Sequence, residues 1–285
     1  MGDKIQKWCI LLFSAGFAAV WIWVCGISAL SMSQTKKICA LAAGLLGAAA
    51  LAAWLFGKLS RKAADGRRFW RILSCLLLVL MGAGLLYAGM ELKVYPGWDF
   101  GAVYQGAVEI VENGAFSESS NWYFTTYPNN VAVCMFLAGF FKLFGGLGSY
   151  ITLGVLLNVV LILLGMVFTC LLAEKLYGSR AGFLVLLFCA FFLPFYMHAP
   201  IFYTDTFALP FVTGSFLLYQ YRKKDARWLI LTAAVLAVGY KVKGSLGVIL
   251  IALLIHLWLH REGAAERLKK LSLIHISEPT RLQLI

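Results

Sequence analysis

The chain has 285 residues, of which 61% are hydrophobic and 13% charged, with a formal net charge of +12. Soluble domains carry about a quarter of charged residues, so this composition, with a mean hydropathy of +0.83, excludes a soluble protein and predicts an integral membrane protein. The basic residues lie in short loops between apolar runs, which is typical of cytoplasmic loops and argues against a nucleic-acid partner.

Apolar runs follow one another along most of the chain. A helix that crosses a bilayer needs about 20 predominantly apolar residues. The sequence therefore predicts an all-α fold, a polytopic bundle of transmembrane helices. The runs lie at residues 8–30, 38–57, 72–90, 130–147, 151–173, 181–200, 206–221, 228–240 and 244–260.

Charge in the loops predicts sidedness. Residues 58–71 hold six basic side chains against Asp65 and are expected in the cytoplasm, whereas residues 91–129 hold five acidic side chains against Lys93 and are expected outside. For Asp205 and the turn Lys241–Lys243 also to lie outside, one intervening run must not cross. We expect the run 130–147 to be a re-entrant or hairpin element.

These boundaries predict four regions: N-terminal transmembrane helices (1–90), an external loop with a juxtamembrane helix (91–129), an incomplete transmembrane core (130–270) and a non-native tail (271–285). The tail prediction comes from residues 271–281, which resemble a translated sequencing adapter. Such segments are excluded from fold reasoning. The natural protein is expected to continue beyond about residue 270 with other residues.

Within the external loop, apolar side chains recur from Phe100 to Val111 at the spacing of one helix face. Asp99 stands where an N-cap belongs, and Asn113-Gly114 predicts the end of the helix. An amphipathic helix along the membrane interface is expected. Glu109 and Glu112 fall on its polar, solvated face.

The order of these features resembles that of the C-type (GT-C) membrane glycosyltransferases, such as protein O-mannosyltransferases and aminoarabinose transferases. The matching features are Trp98-Asp99 after a span, the helix ending at Gly114, and Tyr127-Pro128 opening the next apolar run. The sequence departs from the family pattern in two places. Three spans precede the acidic loop, where family members usually have one, and Asn129 follows Tyr127-Pro128, where many members have a second proline. The resemblance implies transfer of a sugar from a polyprenyl-phosphate donor to a hydroxyl acceptor on the extracytoplasmic face.

The resemblance also implies roles for particular residues. Asp99 would be the catalytic base and Asp205 the second acidic catalytic position, while Lys241 and Lys243 would bind the lipid phosphate. The remaining substrate-binding candidates are Tyr127, Glu109 and His198. Simpler roles stay open: helix caps for the two aspartates, lysines that extend to lipid headgroups, and an interfacial belt of aromatic residues.

Other functions stay open as well. A transporter or lipid-linked-oligosaccharide flippase would show internal repeats of broken helices and charges at mid-span, and a non-catalytic assembly protein would need neither feature. No cofactor is expected, because no His/Asp/Glu cluster has ligand spacing, although a divalent metal near Asp99 and Asp205 is left open. The expected partners are a polyprenyl-phosphate sugar donor, membrane lipid and a hydroxyl acceptor, in a multi-pass protein of the cell membrane.

Overall fold

The computed structural model describes residues 66–222 and 225–259, together with the isolated positions 12 and 16. The chain divides into two compact units, residues 1–66 and 67–285, and the helices described below belong to the second. The predictions for the apolar runs 8–30 and 38–57 and for the tail 271–285 lie outside the described residues.

The described part is entirely helical, which confirms the predicted fold class; it contains ten α-helices and no strand. The helices are α1 (Arg67–Glu91), α2 (Trp98–Asn113), α3 (Glu118–Thr126), α4 (Val131–Phe144), α5 (Tyr150–Tyr177), α6 (Ser179–Ala190), α7 (Leu193–Met197), α8 (Thr204–Tyr219), α9 (Arg227–Val242) and α10 (Gly247–Leu259). Short 3₁₀ turns lie at Pro128–Asn130, Gly145–Leu147 and Gly244–Leu246.

Three of these segments are long and apolar enough to cross a membrane by length and composition: α1, α4 with its flanking 3₁₀ turns (Pro128–Leu147), and α5. The helices α1 and α5 have 25 and 28 residues. At 1.5 Å per residue they are about 38 and 42 Å long. Both exceed the hydrocarbon thickness of a bilayer, which is about 30 Å.

Polar contacts at both ends fix α1 and α5 antiparallel. At one end, the Arg67 and Arg71 guanidinium groups contact the Glu174 carboxylate at 3.2 and 2.6 Å. At the other end, the Lys93 ammonium donates a hydrogen bond of 3.1 Å to the Thr152 hydroxyl. We call these the Glu174 end and the Lys93 end of the bundle.

The later helices run back and forth between the same two ends. The broken pair α6–α7 starts with Gly182 packed against Cys170 and leads to Ala199, which contacts Gly89 near the Lys93 end. α8 then returns toward the Glu174 end, and α9 leads back to Lys243. α10 descends again, since the His256 ring is hydrogen-bonded at 2.8 Å to Tyr219, the last residue of α8.

Basic and aromatic side chains cluster at the Glu174 end. The Lys175 ammonium lies 4.5 Å from the centre of the Tyr221 ring. The Arg222 side chain, which is buried, lies 4.0 Å from the Tyr219 ring and donates a hydrogen bond to the Tyr219 carbonyl. With Arg67 and Arg71, these residues make the Glu174 end strongly basic.

The expectation for the run 130–147 had two parts, and the part that this run does not cross the membrane stays a prediction. A hairpin is wrong, because α4 is one uninterrupted helix. However, both ends of α4 lie near the Lys93 end. The length and apolar composition of α4 therefore do not by themselves show that it crosses the membrane. Asn130, just before α4, is hydrogen-bonded to Tyr123, and Phe141 near its end stacks on Tyr150, two residues before Thr152.

The helix α2 forms where periodicity predicts it, but its apolar face does not lie on lipid. Val103 and Ala107 are fully buried, Tyr104 packs against Phe141 of α4, and Gly106 approaches Cys134 of α4. The apolar face predicted to contact the membrane interface is thus covered by another helix. This packing holds the start of α2 against the bundle.

Candidate active site at the Lys93 end

Asp99 lies in the first turn of α2 and is exposed. The prediction that it caps the helix is wrong: Gly97 is the N-cap residue, and no side chain caps this end. Trp98, between them, has a φ of 53° and is 99% exposed. Positive φ is a strained conformation for a bulky residue, so the chain holds this turn under strain beside the carboxylate.

Tyr123 of α3 is joined to the residues that precede α4. Its hydroxyl accepts a hydrogen bond of 2.6 Å from the Asn130 amide. The Asn130 side chain, which is buried, accepts in turn from the Asn129 amide at 3.0 Å. These three residues form one polar chain, and Asp99 is near enough to act electrostatically on Tyr123.

Tyr203 stands beside this chain, immediately before α8. Tyr203 interacts electrostatically with Tyr123 and Asn130. Burial raises the pKa of Tyr203, and the charge of Asp99 raises it further. Burial, the neighbouring Tyr203 and the nearby Asp99 carboxylate likewise raise the pKa of Tyr123. Both phenols therefore stay protonated and can donate hydrogen bonds at physiological pH.

Asp205 and Lys243 form an ion pair between α8 and the turn after α9. Asp205 lies in the first turn of α8, where Tyr203 is the N-cap residue, so the alternative role of Asp205 as a cap is wrong. Its side chain is 63% exposed and that of Lys243 is 32% exposed. The Phe202 ring, three residues before Asp205, lies 4.7 Å from the ring of Phe100, which follows Asp99, so the pair lies at the same end of the bundle as Asp99.

Two other predicted residues lie at the same end. Lys241 is exposed in the last turn of α9, two positions before the ion-paired lysine. Tyr127 is 46% exposed, and its ring lies 5.1 Å from that of Tyr123. The structure thus brings Asp99, Asp205, Lys243 and Tyr127 together, with Lys241 on the rim.

Glu109 is buried. The prediction that it lies on the solvated face of α2 is wrong, because only 8% of the residue is exposed. The carboxylate accepts hydrogen bonds of 2.9 Å from both the backbone N–H and the hydroxyl of Ser117, the N-cap residue of α3. It also accepts from Gln105 at 3.4 Å. Its contacts are those of a structural residue that joins α2 to α3, and its substrate-binding role stays a prediction.

His198 is exposed, and its ring nitrogen lies 2.9 Å from the Pro194 carbonyl. Its backbone carbonyl accepts a hydrogen bond from the Asn158 amide at 2.8 Å, and that amide also reaches the carbonyls of Ala199 and Ile201 at 2.9 and 3.2 Å. None of the contacts described for His198 joins it to Asp99 or Asp205. Its role in substrate binding likewise stays a prediction.

Sequence reasoning missed the residues that connect the site. Asn158 is a fully buried amide in an apolar span, and polar side chains at membrane depth are a recognised sign of structural or functional importance; this signal was available. Tyr203 gave no such signal, because its neighbours Tyr123 and Asn130 lie far from it in sequence, and Asn130 gave none because it is a polar residue in a loop. Within residues 66–222 and 225–259, no group of three His, Cys, Asp or Glu side chains is placed to hold a metal ion.

An all-helical bundle with membrane-length helices and with acidic and basic side chains paired at one end is the architecture of a polytopic membrane protein. Residues 131–277, just over half of the chain, match the family model described as dolichyl-phosphate-mannose-protein mannosyltransferase. The chain belongs to this mannosyltransferase family. No curated protein and no solved structure matches it.

Family membership confirms that the chain is a membrane glycosyltransferase of the GT-C type. The matched region starts at Val131 and includes Asp205, Lys241 and Lys243, whereas Asp99 precedes it. The transporter and assembly-protein interpretations gain no support from this family.

Proposed function

We propose that this protein transfers a sugar from a polyprenyl-phosphate donor to a hydroxyl acceptor, with Asp99 as the base and Lys243 as the cation that binds the donor phosphate. The observation that carries the proposal is the ion pair between Asp205 and Lys243, near the start of α2 where Asp99 lies, since the Phe100 and Phe202 rings are 4.7 Å apart. Transfer of a sugar from a phosphate requires a base for the acceptor proton and a cation for the departing phosphate.

In the proposed reaction, the acceptor hydroxyl gives its proton to the Asp99 carboxylate as its oxygen attacks the anomeric carbon. The bond between this carbon and the phosphate oxygen breaks on the opposite face, and the polyprenyl phosphate leaves with the electron pair. The configuration at the anomeric carbon is inverted. A positioned general base contributes about 10²–10⁴-fold to such a step.

The charge that develops on the departing phosphate needs a fixed cation nearby. Lys243 supplies it in this proposal, and Asp205 holds the ammonium group in place until the donor binds. The partial exposure of both side chains supports this role, because the phosphate must reach the ammonium group. Lys241, on the rim, adds positive charge to the approach of the lipid headgroup.

The proposed reaction takes place on the extracytoplasmic face. The Glu174 end carries Arg67, Arg71, Lys175 and Arg222, and basic residues mark the cytoplasmic ends of membrane helices. Asp99 and Lys243 lie at the opposite end. The prenyl chain would then lie along the apolar helices in the outer leaflet.

The decisive experiment replaces Asp99 by asparagine in the full-length protein, which keeps the shape of the side chain and removes its basicity. Tritiated polyprenyl-phosphate mannose and a serine-containing peptide are the probes, and released polyprenyl phosphate is the readout. We expect kcat to fall by about a hundredfold or more, because the acceptor proton has no base, while KM for the donor changes little.

The matched control is Glu112→Gln, which neutralises an exposed carboxylate on the same helix. This control is expected to keep wild-type turnover. Full turnover by the Asp99→Asn variant would remove Asp99 as the base and with it the proposed reaction.

A further inference from the structure

The segment 198–203 is non-helical backbone inside the helical bundle. It joins α7, which ends at Met197, to α8, which begins at Thr204. Ala199 and Phe202 within this segment are fully buried. Backbone at membrane depth that is not helical needs hydrogen-bond donors from the protein around it, because a buried carbonyl group without a donor is destabilising. The carbonyl groups of this segment therefore depend in part on donors from other helices.

Asn158 of α5 supplies these donors. Its side-chain nitrogen lies 2.8, 2.9 and 3.2 Å from the carbonyl oxygens of His198, Ala199 and Ile201. An amide nitrogen donates hydrogen bonds and a carbonyl oxygen accepts them, so these contacts fix the orientation of the amide. The side-chain oxygen of Asn158 is buried and has no hydrogen-bond partner in the described part of the chain. The hydrogen bonds of this side chain are therefore directed to the segment 198–203.

A second position on α5 receives the end of the segment. Gly154 lies one turn before Asn158, and a Cβ atom at Gly154 would lie 2.6 Å from the Phe202 ring. Only a residue without a side chain leaves room for that ring. The Phe202 ring in turn lies 4.7 Å from the ring of Phe100, which follows Asp99 in α2. Helix α5 therefore holds the segment by hydrogen bonds at its start and by packing at its end.

The start of α8 follows directly from this segment. Tyr203 is the N-cap residue of α8, and its carbonyl accepts a hydrogen bond of 3.1 Å from the Thr206 hydroxyl. Asp205 stands four residues after Ile201, the last of the three carbonyl groups that the amide binds. Because the chain between them is short, a shift of the segment moves the Asp205 carboxylate and its ion pair with Lys243. The place of this ion pair therefore depends on contacts in the interior of the bundle.

We propose that Asn158 is a positioning residue for the sugar transfer, because it sets where α8 begins and hence where the Asp205–Lys243 ion pair lies. The inference rests on the proposed function, in which Lys243 binds the donor phosphate. Asn158 is 0% exposed, so it cannot contact the substrate. Thr152, which marks the Lys93 end, lies six residues earlier, so Asn158 acts from about 9 Å deeper along α5.

A misplaced ammonium group affects both the binding of the donor and the departure of its phosphate. A misplacement of about 1 Å costs on the order of a hundredfold in rate. A merely structural effect differs from this, because a smaller fraction of folded protein lowers the apparent kcat and leaves KM for the donor unchanged. The KM for the donor therefore separates a positioning role from a folding role.

The test uses the full-length protein and the same tritiated polyprenyl-phosphate mannose. Asn158→Leu keeps a side chain of similar size and leaves the three carbonyl groups without their donor. We expect kcat/KM for the donor to fall by roughly tenfold to a hundredfold, with a higher KM for the donor and an unchanged KM for the peptide acceptor. A wild-type KM for the donor in this variant would overturn the proposal.

The matched control is Thr169→Val, which removes a hydroxyl from the same span. That hydroxyl donates a hydrogen bond of 2.8 Å to the Gly165 carbonyl of its own helix. The control should keep the wild-type KM for the donor. An equal rise in this KM in the control would contradict the proposal, because it would assign the effect to any loss of a polar group from α5.

A double-mutant cycle asks whether Asn158 acts through the ion pair. In Asp205→Asn the ion pair is already lost, so the addition of Asn158→Leu should leave KM for the donor at the value of Asp205→Asn alone. Additive increases would mean independent roles and would overturn the proposal.

Thermal unfolding in detergent shows whether the Asn158→Leu variant folds. If it does not fold, Asn158→Ser replaces it, because serine is smaller and its hydroxyl has one hydrogen to donate. At least two of the three carbonyl groups then lack their donor, and KM for the donor should again rise. A folded Asn158→Ser variant with the wild-type KM for the donor would overturn the proposal.

The outcomes for the two proposals are distinguishable. If Asp99→Asn is inactive while Asn158→Leu has the wild-type KM for the donor, the positioning role is wrong and the proposed function stands. If Asp99→Asn is fully active, the proposed function fails, whatever Asn158→Leu does to this KM.

Discussion

At the scale of single residues, the buried carboxylate of Glu109 joins α2 to α3 through its hydrogen bonds with Ser117. Burial alone would raise the pKa of its carboxyl group, but the hydrogen bonds from Ser117, Ser120 and Gln105 outweigh burial and lower it. A lowered pKa in the folded state means that the ionised form stabilises the fold. This stabilisation is fully present above the unfolded pKa of about 4.3 and is lost as the pH falls through the folded value.

We therefore predict that Glu109→Gln lowers the free energy of unfolding by about 1–2 kcal/mol at pH 7, because a neutral amide binds the N-terminus of α3 less well. The difference from wild type should narrow as the pH falls below about 4. Thermal unfolding in detergent at several pH values measures both effects. Glu112→Gln, the exposed neighbour on the same helix, should change neither, and an equal loss in this control would assign the effect to net charge.

At the scale of helices, the contact between α2, α3 and α4 depends on a glycine. A Cβ atom at Gly106 would lie 2.5 Å from the Phe124 ring and 3.2 Å from the Cys134 sulfur, both closer than van der Waals contact. This glycine lets α3 lie close to α2.

We predict that Gly106→Ala destabilises the protein by about 1–3 kcal/mol through overpacking and lowers activity as well, because α3 moves away from Asp99. The matched variant is Gly139→Ala on α4, where no atom lies within 4 Å of an added Cβ. There alanine should be neutral or stabilising by up to about 1 kcal/mol, because it favours the helix. Thermal unfolding of both variants tests the prediction, and equal melting temperatures would contradict it.

Sequence periodicity predicted most of the helices, because they depend on local spacing of apolar residues, but it did not predict the polar helix α3 or the break between α6 and α7. It placed the end of α2 at Asn113, where Gly114 adopts a φ of 73°. It could not predict what covers α2, because the partner helix α4 is as apolar as a membrane span. The sidedness argument found the acidic and basic site residues, whereas Tyr203 and Asn130 became visible only when the fold joined their segments.

At the scale of the whole molecule, the course of α4 decides how many times the chain crosses the membrane. Counted by hydropathy, the segment Pro128–Leu147 is a span. In the structure its two ends lie near Tyr123 and Tyr150, both at the Lys93 end. Residues 118 and 147 should therefore face the same side of the membrane, and residue 177 the other.

Cysteine labelling tests this topology in a background in which the native cysteines are replaced by alanine. We expect Glu118→Cys and Leu147→Cys to react with a membrane-impermeant maleimide in intact cells, and Tyr177→Cys to react only after lysis. All three positions are exposed. Reaction of residues 118 and 147 from opposite faces would show that α4 crosses and would separate Asp99 from Lys243.

The contacts at the two ends of α1 and α5 have a further consequence for the surrounding lipid. Arg71 with Glu174 at one end and Lys93 with Thr152 at the other prevent the two helices from sliding past each other. Transmembrane helices usually adapt to thinner bilayers by tilting, and here α1 and α5 would have to tilt together as one unit. Reconstitution into lipids of short acyl chain should therefore change the angle of the pair in the bilayer and leave the contacts at its two ends intact.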